Sequence, residues 1–183
     1  MNNNKNNRIY LTGFMGSGKS TVAPILANVL GFTFVDMDCE IENLTGKKIS
    51  KIFSDLGEEY FREVESSVLQ EVSHRDRSVI SLGGGTIANE SNLQIIKSTG
   101  VLIYLKTSTE QIYHRLKHKT DRPLVKSSIG TTLDKEQFQA RINALLLKRE
   151  PFYDQADMIV MTDDQGIGFT VDEIVKKLKN MIR

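Results

Sequence analysis

The stretch RIYLTGFMGSGKSTV, residues 8–22, is the most informative part of this sequence. Residues 13–20 fit the pattern G-x-x-x-x-G-K-[ST], a glycine-rich loop that binds the phosphates of a nucleotide. The apolar residues before the loop predict a strand and residues 23–30 predict a helix, which is the context that this motif requires. The sequence therefore predicts a phosphate-binding loop, or P-loop, that holds a nucleoside triphosphate.

The residue types within this loop suit phosphate binding. Glycines let backbone N–H groups approach the phosphates closely, and the following helix presents the positive end of its dipole. We expect Lys19 to reach the β- and γ-phosphates and the Ser20 hydroxyl to ligate Mg²⁺, the one cofactor predicted. The expected ATP contacts in the loop are Gly13, Gly16, Ser17, Gly18, Lys19, Ser20 and Thr21.

Length and composition indicate an ordinary globular protein. The chain has 183 residues, of which 39% are hydrophobic and 26% charged, enough for one α/β domain with its own core. A net charge of +1 gives no reason to expect nucleic acid or an anionic membrane as a partner. Cys39 is the only cysteine, which excludes a disulfide framework within the chain and favours the cytoplasm. We expect neither a signal peptide nor a membrane span, since no long apolar segment occurs.

Short apolar runs alternate with amphipathic stretches along the chain. The runs predict strands over residues 8–12, 33–36, 79–82, 101–105 and 158–161. The amphipathic stretches predict helices over residues 19–30, 49–55, 58–72, 90–97, 110–117, 135–149 and 171–181. Thr170 and Glu173 have the spacing of a capping box for the last helix. The alternation predicts a mostly parallel sheet covered on both faces, with ligands beyond the carboxyl ends of its strands.

Two segments fall outside this pattern. The asparagine-rich residues 1–7 are expected to form a flexible tail. Residues 118–132 are polar, basic and interrupted by Pro123 and Gly130, as expected of a loop or mobile lid. We therefore expect a single domain over residues 8–183.

Two acids follow the second predicted strand in the segment FTFVDMDCEIE. Asp36, at the strand end, could hold Mg²⁺ through water, because this ion keeps much of its hydration shell. Asp38 could accept a proton or a hydrogen bond from an alcohol that is being phosphorylated. The alternative for either acid is that its side chain only caps the following helix.

A charged pair and a run of glycines are further candidates. Arg62 and Glu65 lie three residues apart on one helical face and can pair, which contributes little at the surface. Near an anion site, the glutamate would instead orient the arginine as a fork for a substrate carboxylate. Gly83, Gly84 and Gly85 follow a buried strand, where they indicate either close approach of a ligand or a tight turn.

Three more arginines could bind anions. Arg122 lies in the predicted lid, where an arginine can stabilise the charge on the γ-phosphate while closure excludes water. Arg115 lies on the preceding predicted helix. Arg149, just before Pro151, is either a cationic group at a helix C-terminus or a second anion fork.

The sequence contains, in this order, GFMGSGKSTV, FVDMDCEIE, GEEYFREVE, SLGGGT, DRPL and KREPFY. This series resembles shikimate kinases, small P-loop enzymes that phosphorylate the 3-hydroxyl of shikimate in aromatic amino-acid biosynthesis. The resemblance runs over nearly the whole chain. It implies an α/β, three-layer P-loop fold of the nucleoside monophosphate kinase type, with a five-stranded parallel sheet, helices on both faces and a mobile lid.

The resemblance also implies roles on the acceptor side of the site. Asp38 would hold the shikimate hydroxyls and be the candidate base, and Asp36 would lie near Mg²⁺. Arg62, oriented by Glu65, and Arg149 would bind the carboxylate of shikimate. The glycine run (residues 83–85) would line the shikimate pocket and offer its backbone amides.

On the nucleotide side, the resemblance implies that Arg122 and Arg115 contact ATP. The implied catalytic residues are Lys19, Asp38 and Arg122. The implied partners are ATP and shikimate, without nucleic acid or a membrane, and the chain is expected to be a monomer.

Three other functions fit parts of the sequence. A gluconate kinase of the same fold would also need arginines for a carboxylate, although FREVE together with SLGGGT favours shikimate. A GTPase-type switch would use the P-loop and DDQG, residues 163–166, but the chain has no N-K-x-D motif to read guanine. A degenerate kinase that only binds ligands is disfavoured by the intact Lys19, Ser20, Asp38 and Arg122.

Overall fold

The computed structural model describes residues 7–117, 134–163 and 166–181. Its strands are β1 (Arg8–Thr12), β2 (Thr33–Asp36), β3 (Ser78–Ser81), β4 (Val101–Lys106) and β5 (Met158–Met161). Its helices are α1 (Lys19–Leu30), α2 (Met37–Thr45), α3 (Ile49–Val72), α4 (Glu90–Thr99), α5 (Thr109–Leu116), α6 (Lys135–Tyr153) and α7 (Ile167–Met181), and a 3₁₀ turn spans Thr86–Ala88. The predicted lid and, except for Asn7, the predicted tail lie outside the described residues. The single domain over residues 8–183 stays a prediction.

The strands form one five-stranded parallel sheet in the order β2-β3-β1-β4-β5. Each strand lies within one residue of its predicted bounds, so the predicted parallel sheet is confirmed. Since all strands run the same way, the loops after β1, β2 and β3 meet along one edge of the sheet. The P-loop follows β1 and therefore lies at the centre of that edge.

Side chains alternate between the two faces of the sheet and bury a core on each face. Ile9 and Leu11 of β1 pack with α1 and α7, whereas Tyr10 between them packs with α2, α3 and α4. A third cluster joins Phe14 of the P-loop to Phe138 of α6 and to α5. The sheet is thus the middle of three layers, as the resemblance implied. No helix within the described ranges is long and apolar enough to cross a membrane.

Helix α2 is absent from the sequence-based prediction. It begins directly after β2, where Asp36 Oδ1 accepts hydrogen bonds from the N–H groups of Asp38 (3.0 Å) and Cys39 (3.2 Å). Its nine residues are too few for a clear helical period, and the full burial of Met37 and Ile41 against the core defines it instead. Asp36 is therefore a helix cap, which was the alternative considered for it.

Helix α3 joins the two helices predicted over residues 49–55 and 58–72. They form one element that is bent at Gly57, whose backbone has φ 84° and ψ 173°. This conformation is accessible almost only to glycine. The predicted break is thus a kink without an intervening loop.

Two helix ends differ from the prediction by four residues, about one turn. Helix α6 continues through Pro151 to Tyr153, so Arg149 lies within the helix and the interpretation as a group at its C-terminus is wrong. Helix α7 begins at Ile167, and the N–H of Thr170 donates to the carbonyl of Gly166 at 3.2 Å. Thr170 therefore belongs to the first turn, and the predicted capping box is wrong.

Candidate active site

A cleft of about 740 Å³ opens where the loops after β1, β2 and β3 meet. Apart from Gly13, every predicted site residue that the structure describes lines this cleft. These residues are Gly16, Ser17, Gly18, Lys19, Ser20, Thr21, Asp36, Asp38, Arg62, Gly83, Gly84, Gly85, Arg115 and Arg149. Arg122 lies outside the described residues. The cleft therefore joins residues predicted for a nucleotide with those predicted for an acceptor.

The P-loop needs its glycines for backbone conformation and for space. Gly13, Gly16 and Gly18 have φ of 151°, 81° and 99°, values that favour glycine. A Cβ at Gly13 would lie 2.6 Å from the carbonyl oxygen of Leu105. The absence of a side chain at Gly13 thus lets the loop pack closely against β4. Gly13 does not line the cleft itself but supports the loop that does.

The side chains of the P-loop lie beside the first turn of α1. Lys19 Nζ donates to the carbonyl oxygens of Gly13 (2.6 Å) and Phe14 (3.3 Å), so its ammonium lies on the loop itself. Ser20 and Thr21 are exposed in the first turn of α1, which has no side-chain cap at its N-terminus. The loop thus presents N–H groups, a cation and hydroxyls to an anion.

Arg115 holds the P-loop against the end of β5. Its Nη1 donates to the carbonyl of Gly16 at 2.9 Å, and its Nη2 donates to the carbonyls of Thr162 and Asp163. The Thr162 hydroxyl, buried in the cleft wall, is 3.1 Å from the carbonyl oxygen of Ser17 and donates to it. Sequence reasoning missed Thr162, although a hydroxyl directly after a strand at the ligand edge is a usable signal.

Asp38 lies in the first turn of α2 and is open to the cleft. The surrounding protein raises its pKa above the ordinary value, mainly by partly removing the carboxylate from water. The negative charges of Asp36 and Glu65 raise this pKa further, while the positive charge of Lys19 lowers it. A raised pKa makes a carboxylate a better proton acceptor, which suits the role predicted for Asp38.

Arg62 is held by two glutamates of different exposure. Its Nη1 donates to Oε2 of Glu65 at 2.8 Å, and its Nη2 donates to Oε1 of Glu58 at 3.0 Å. The side chain of Glu65 is 2% exposed, whereas that of Glu58 is 67% exposed. The Arg62–Glu65 pair is therefore part of the cleft wall, and its interpretation as a surface pair is wrong.

The glycine run (residues 83–85) leaves room for the two arginines. A Cβ at Gly84 would lie 3.2 Å from Nη1 of Arg149. A Cβ at Gly85 would lie 3.1 Å from Nη2 of Arg62. No residue of the run has a left-handed φ, so space for neighbouring groups is the reason for glycine. The run also contains a turn, since the N–H of Thr86 donates to the carbonyl of Gly83 at 3.2 Å.

Aromatic rings support both arginines. The guanidinium carbon of Arg62 lies 5.2 Å from the ring centroid of Phe61, and that of Arg149 lies 5.6 Å from the ring centroid of Phe14. Such contacts favour a cation over a ring face. Phe61 and Phe53 also line the cleft, with ring centroids 4.6 Å apart. Phe61 is not among the predicted site residues, although its position next to Arg62 in the sequence could have indicated the site.

The residues predicted for Mg²⁺ are compatible with this ion. Ser20 and Asp36 both line the cleft beside the P-loop and offer oxygen ligands. Across the described ranges, no group of three or more His, Cys, Asp or Glu residues could form a metal centre made by protein alone. Mg²⁺ does not need one, because it keeps several waters and uses one or two protein ligands together with phosphates.

Comparisons with known proteins agree with this geometry. The family model described as Shikimate kinase matches residues 15–182. A shikimate kinase from Chlorobaculum parvum is 49% identical over 175 residues, covering 96% of this chain and 94% of that protein. The structure of a shikimate kinase from Acinetobacter baumannii in complex with shikimate has a TM-score of 0.85 and 32% identity, over 97% of this chain and 95% of that one. A gluconokinase from Sinorhizobium meliloti, with 18% identity and a TM-score of 0.65 over 97% and 94% of the two chains, shares the fold alone.

Proposed function

The chain belongs to the shikimate kinase family, and we propose on that premise that its cleft transfers the γ-phosphate of ATP to the 3-hydroxyl of shikimate. The products are shikimate 3-phosphate and ADP. One observation carries the proposal: a single cleft combines a P-loop with an aspartate, two arginines and a glycine run. A switch protein has no need of the second group, because it transfers no phosphate to a small acceptor.

The nucleotide binds on the P-loop side of the cleft. The N–H groups of the loop and of the first turn of α1 bind the phosphates. Lys19 leaves the carbonyls of Gly13 and Phe14 for phosphate oxygens, which carry full charge and form stronger hydrogen bonds. Arg115 adds positive charge to the wall and holds the loop through Gly16.

Shikimate binds on the opposite side. It is a small acid with several hydroxyls, so it needs a cation for its carboxylate and an acceptor for the reacting hydroxyl. Arg62 and Arg149 provide the cations, and the glycine run leaves the acceptor room beside them. Asp38, at the same wall, accepts the hydrogen bond of the 3-hydroxyl.

Mg²⁺ is the cofactor that we propose for this site. The Ser20 hydroxyl would bind the ion directly, and Asp36 would bind it through water, since Oδ1 of Asp36 already caps α2. When bound, Mg²⁺ neutralises charge on the phosphate oxygens during transfer.

The reaction is an in-line displacement that depends mostly on positioning. The 3-hydroxyl oxygen forms a bond to the γ-phosphorus while the bond from that phosphorus to the β-phosphate oxygen of ADP breaks. Asp38 orients the hydroxyl and takes its proton, which its raised pKa favours. Lys19 stabilises the negative charge on the phosphates, and we assign the same role to Arg122 of the predicted lid.

The remaining expectations extend this proposal. We propose that the protein acts as a monomer on ATP and shikimate in the cytoplasm, and that neither nucleic acid nor a membrane is a partner. The near-neutral net charge supports the absence of nucleic acid and of an anionic membrane as partners, and the single cysteine supports the cytoplasm. Residues 8–183 would form one domain, with residues 118–132 as its lid and residues 1–7 as a tail.

The test is ADP release from ATP and Mg²⁺ by the purified protein, with shikimate, gluconate or no acceptor. We expect strong ADP release only when shikimate is the acceptor. The Lys19→Met variant should lose this release. Equal or stronger release with gluconate would retain the P-loop and overturn the acceptor. Release that needs no acceptor would contradict transfer to shikimate.

A further inference from the structure

Glu65 has two carboxylate oxygens with different partners. Oε2 accepts the hydrogen bond from Nη1 of Arg62 at 2.8 Å, and Oε1 accepts one from the Thr86 hydroxyl at 2.7 Å. Both Glu65 and Thr86 are buried, at 2% and 0% exposure. A buried carboxylate is costly unless its oxygens are hydrogen-bonded. The Thr86 hydroxyl therefore supplies one of the two hydrogen bonds that satisfy the buried Glu65 carboxylate in this wall.

Thr86 is itself fixed by the structure around it. It follows the glycine run and begins the 3₁₀ turn at Thr86–Ala88. Its carbonyl oxygen accepts a hydrogen bond from Nδ2 of Asn92 at 3.1 Å, and Asn92 is 1% exposed on α4. A hydroxyl has one proton to donate, and that of Thr86 is donated to Glu65. A continuous chain of contacts thus runs from α4 to the guanidinium of Arg62.

Arg62 depends on this chain for its position. Its other partner, Glu58, is exposed and gives weaker, screened contacts. If Oε1 of Glu65 lost its donor, the carboxylate would rotate to recover a hydrogen bond, and Arg62, which already donates to Oε2, is within its reach. The guanidinium would then turn from the cleft and from Gly85, beside which it lies now.

We propose that Thr86 is a positioning residue for the acceptor carboxylate: its hydroxyl fixes Glu65, and Glu65 fixes Arg62 toward the cleft. This inference rests on the proposed role of Arg62 in binding shikimate. Thr86 acts through two other side chains and touches no reacting atom. Its effect therefore concerns acceptor binding and leaves the nucleotide side unchanged.

The test uses Thr86→Val, which removes the hydroxyl and keeps the branched shape. We expect the KM for shikimate to rise about tenfold, the change expected when a charged group loses a hydrogen-bond donor. We expect kcat and the KM for ATP to stay within about twofold, and Thr86→Ser to restore the KM for shikimate. Thr99→Val is the matched control, because Thr99 also bonds through its hydroxyl, to Tyr10 at 2.7 Å, but lies outside the cleft.

A double-mutant cycle separates positioning from a general structural effect. In the Arg62→Ala background, we expect Thr86→Val to cause no further loss in kcat/KM for shikimate, because the residue through which it acts is gone. Additive losses would overturn the proposal, as would failure of Thr86→Ser to restore binding. If wild type phosphorylates shikimate and Thr86→Val binds it equally well, this inference alone fails. If wild type does not phosphorylate shikimate, the proposed function fails.

Discussion

Arg62 and Arg149 reach the glycine run from two different helices, α3 and α6, and each lies next to one glycine of the run. Because these glycines have no side chain, the two guanidinium groups can lie close to the backbone and approach a small acid together. Arg149 has a further fixed neighbour in Tyr153, to which it is hydrogen-bonded and whose hydroxyl donates to the carbonyl of Gly84 at 2.7 Å. Added volume at Gly84 would therefore act on Arg149 first.

We expect Gly84→Ala to weaken acceptor binding and leave stability almost unchanged. The new Cβ would lie 3.2 Å from Nη1 of Arg149, the mobile end of a side chain, which can move away at little cost. The displaced guanidinium would then lose contact with the acceptor, so the KM for shikimate should rise roughly tenfold. Steady-state kinetics and urea unfolding of the same preparations measure both quantities.

The matched control for this change is Gly168→Ala. Gly168 lies in α7, and a Cβ there would meet nothing within 4 Å. The control should keep wild-type kinetics and gain up to about 1 kcal/mol of unfolding free energy from helix propensity. An unchanged KM in Gly84→Ala would mean that Arg149 does not bind the acceptor from its present position.

Single residues of the site could be predicted where a local motif defines them. The P-loop is one continuous segment, and its eight-residue pattern indicates phosphate binding without information from the rest of the chain. The contacts of Thr86 with Glu65 and of Thr162 with Ser17 could not be predicted, because the paired residues are 21 and 145 positions apart, although the place of Thr162 directly after a strand was a signal for the site. Their roles arise only when the chain folds.

At the scale of elements, α2 shows where sequence patterns are insufficient. This nine-residue helix is defined by its cap at Asp36 and by long-range contacts. One such contact is bidentate: Arg75, just after α3, donates to Oε1 and Oε2 of Glu40 at 3.0 and 2.8 Å. The strands were easier to predict, because buried apolar runs between breaks are visible in the sequence itself.

The contact between Glu40 and Arg75 should stabilise the fold in a pH-dependent way. Hydrogen bonds from Arg75 lower the pKa of Glu40 below its ordinary value. The stabilisation is therefore complete above the unfolded pKa of about 4.3 and is lost as the pH falls through the lower folded pKa. We expect Glu40→Gln to reduce the free energy of unfolding by roughly 0.5–1 kcal/mol at neutral pH, the upper range for an exposed pair.

Urea unfolding across a series of pH values measures this difference. The gap between wild type and Glu40→Gln should close as the pH falls below about 4. Glu63→Gln, an exposed position on α3, controls for the general loss of one negative charge. A gap that stays constant over the whole range would show that Glu40 contributes by packing and not through its charge.

At the scale of the whole molecule, the strand order separates the two halves of the site. β1 and the P-loop lie at the centre, with β3 and β2 on one side and β4 and β5 on the other. The residues that we propose for the acceptor follow β2 and β3 or lie on α3 and α6. Arg115 and Thr162, which hold the P-loop, follow β4 and β5.

We therefore expect a single substitution to remove the stabilisation of the fold by one ligand and to leave the stabilisation by the other ligand unchanged. A ligand at 100 times its Kd stabilises the fold by about 2.7 kcal/mol, which corresponds to a rise in Tm of roughly 5–10 °C for a domain of this size. Arg62→Ala should lose the rise with shikimate and keep that with ADP. Lys19→Met should do the reverse in the same thermal unfolding assay.

The outcome that contradicts this separation is equal loss of both shifts in either variant. Such a result would mean that the two ligands stabilise one shared conformation. Lowered Tm without ligand would not by itself count against the prediction, since each shift is measured from the variant's own baseline.

The central position of β1 also has a consequence for how such enzymes change over time. The contacts proposed for the phosphate donor centre on the P-loop after β1, whereas the residues proposed for the acceptor follow β2 and β3 or lie on α3 and α6. An enzyme of this fold can therefore acquire a new acceptor specificity through a few substitutions near β2, β3, α3 and α6, while its nucleotide-binding P-loop stays the same. The same property gives protein engineers a natural boundary along which to exchange acceptor specificity.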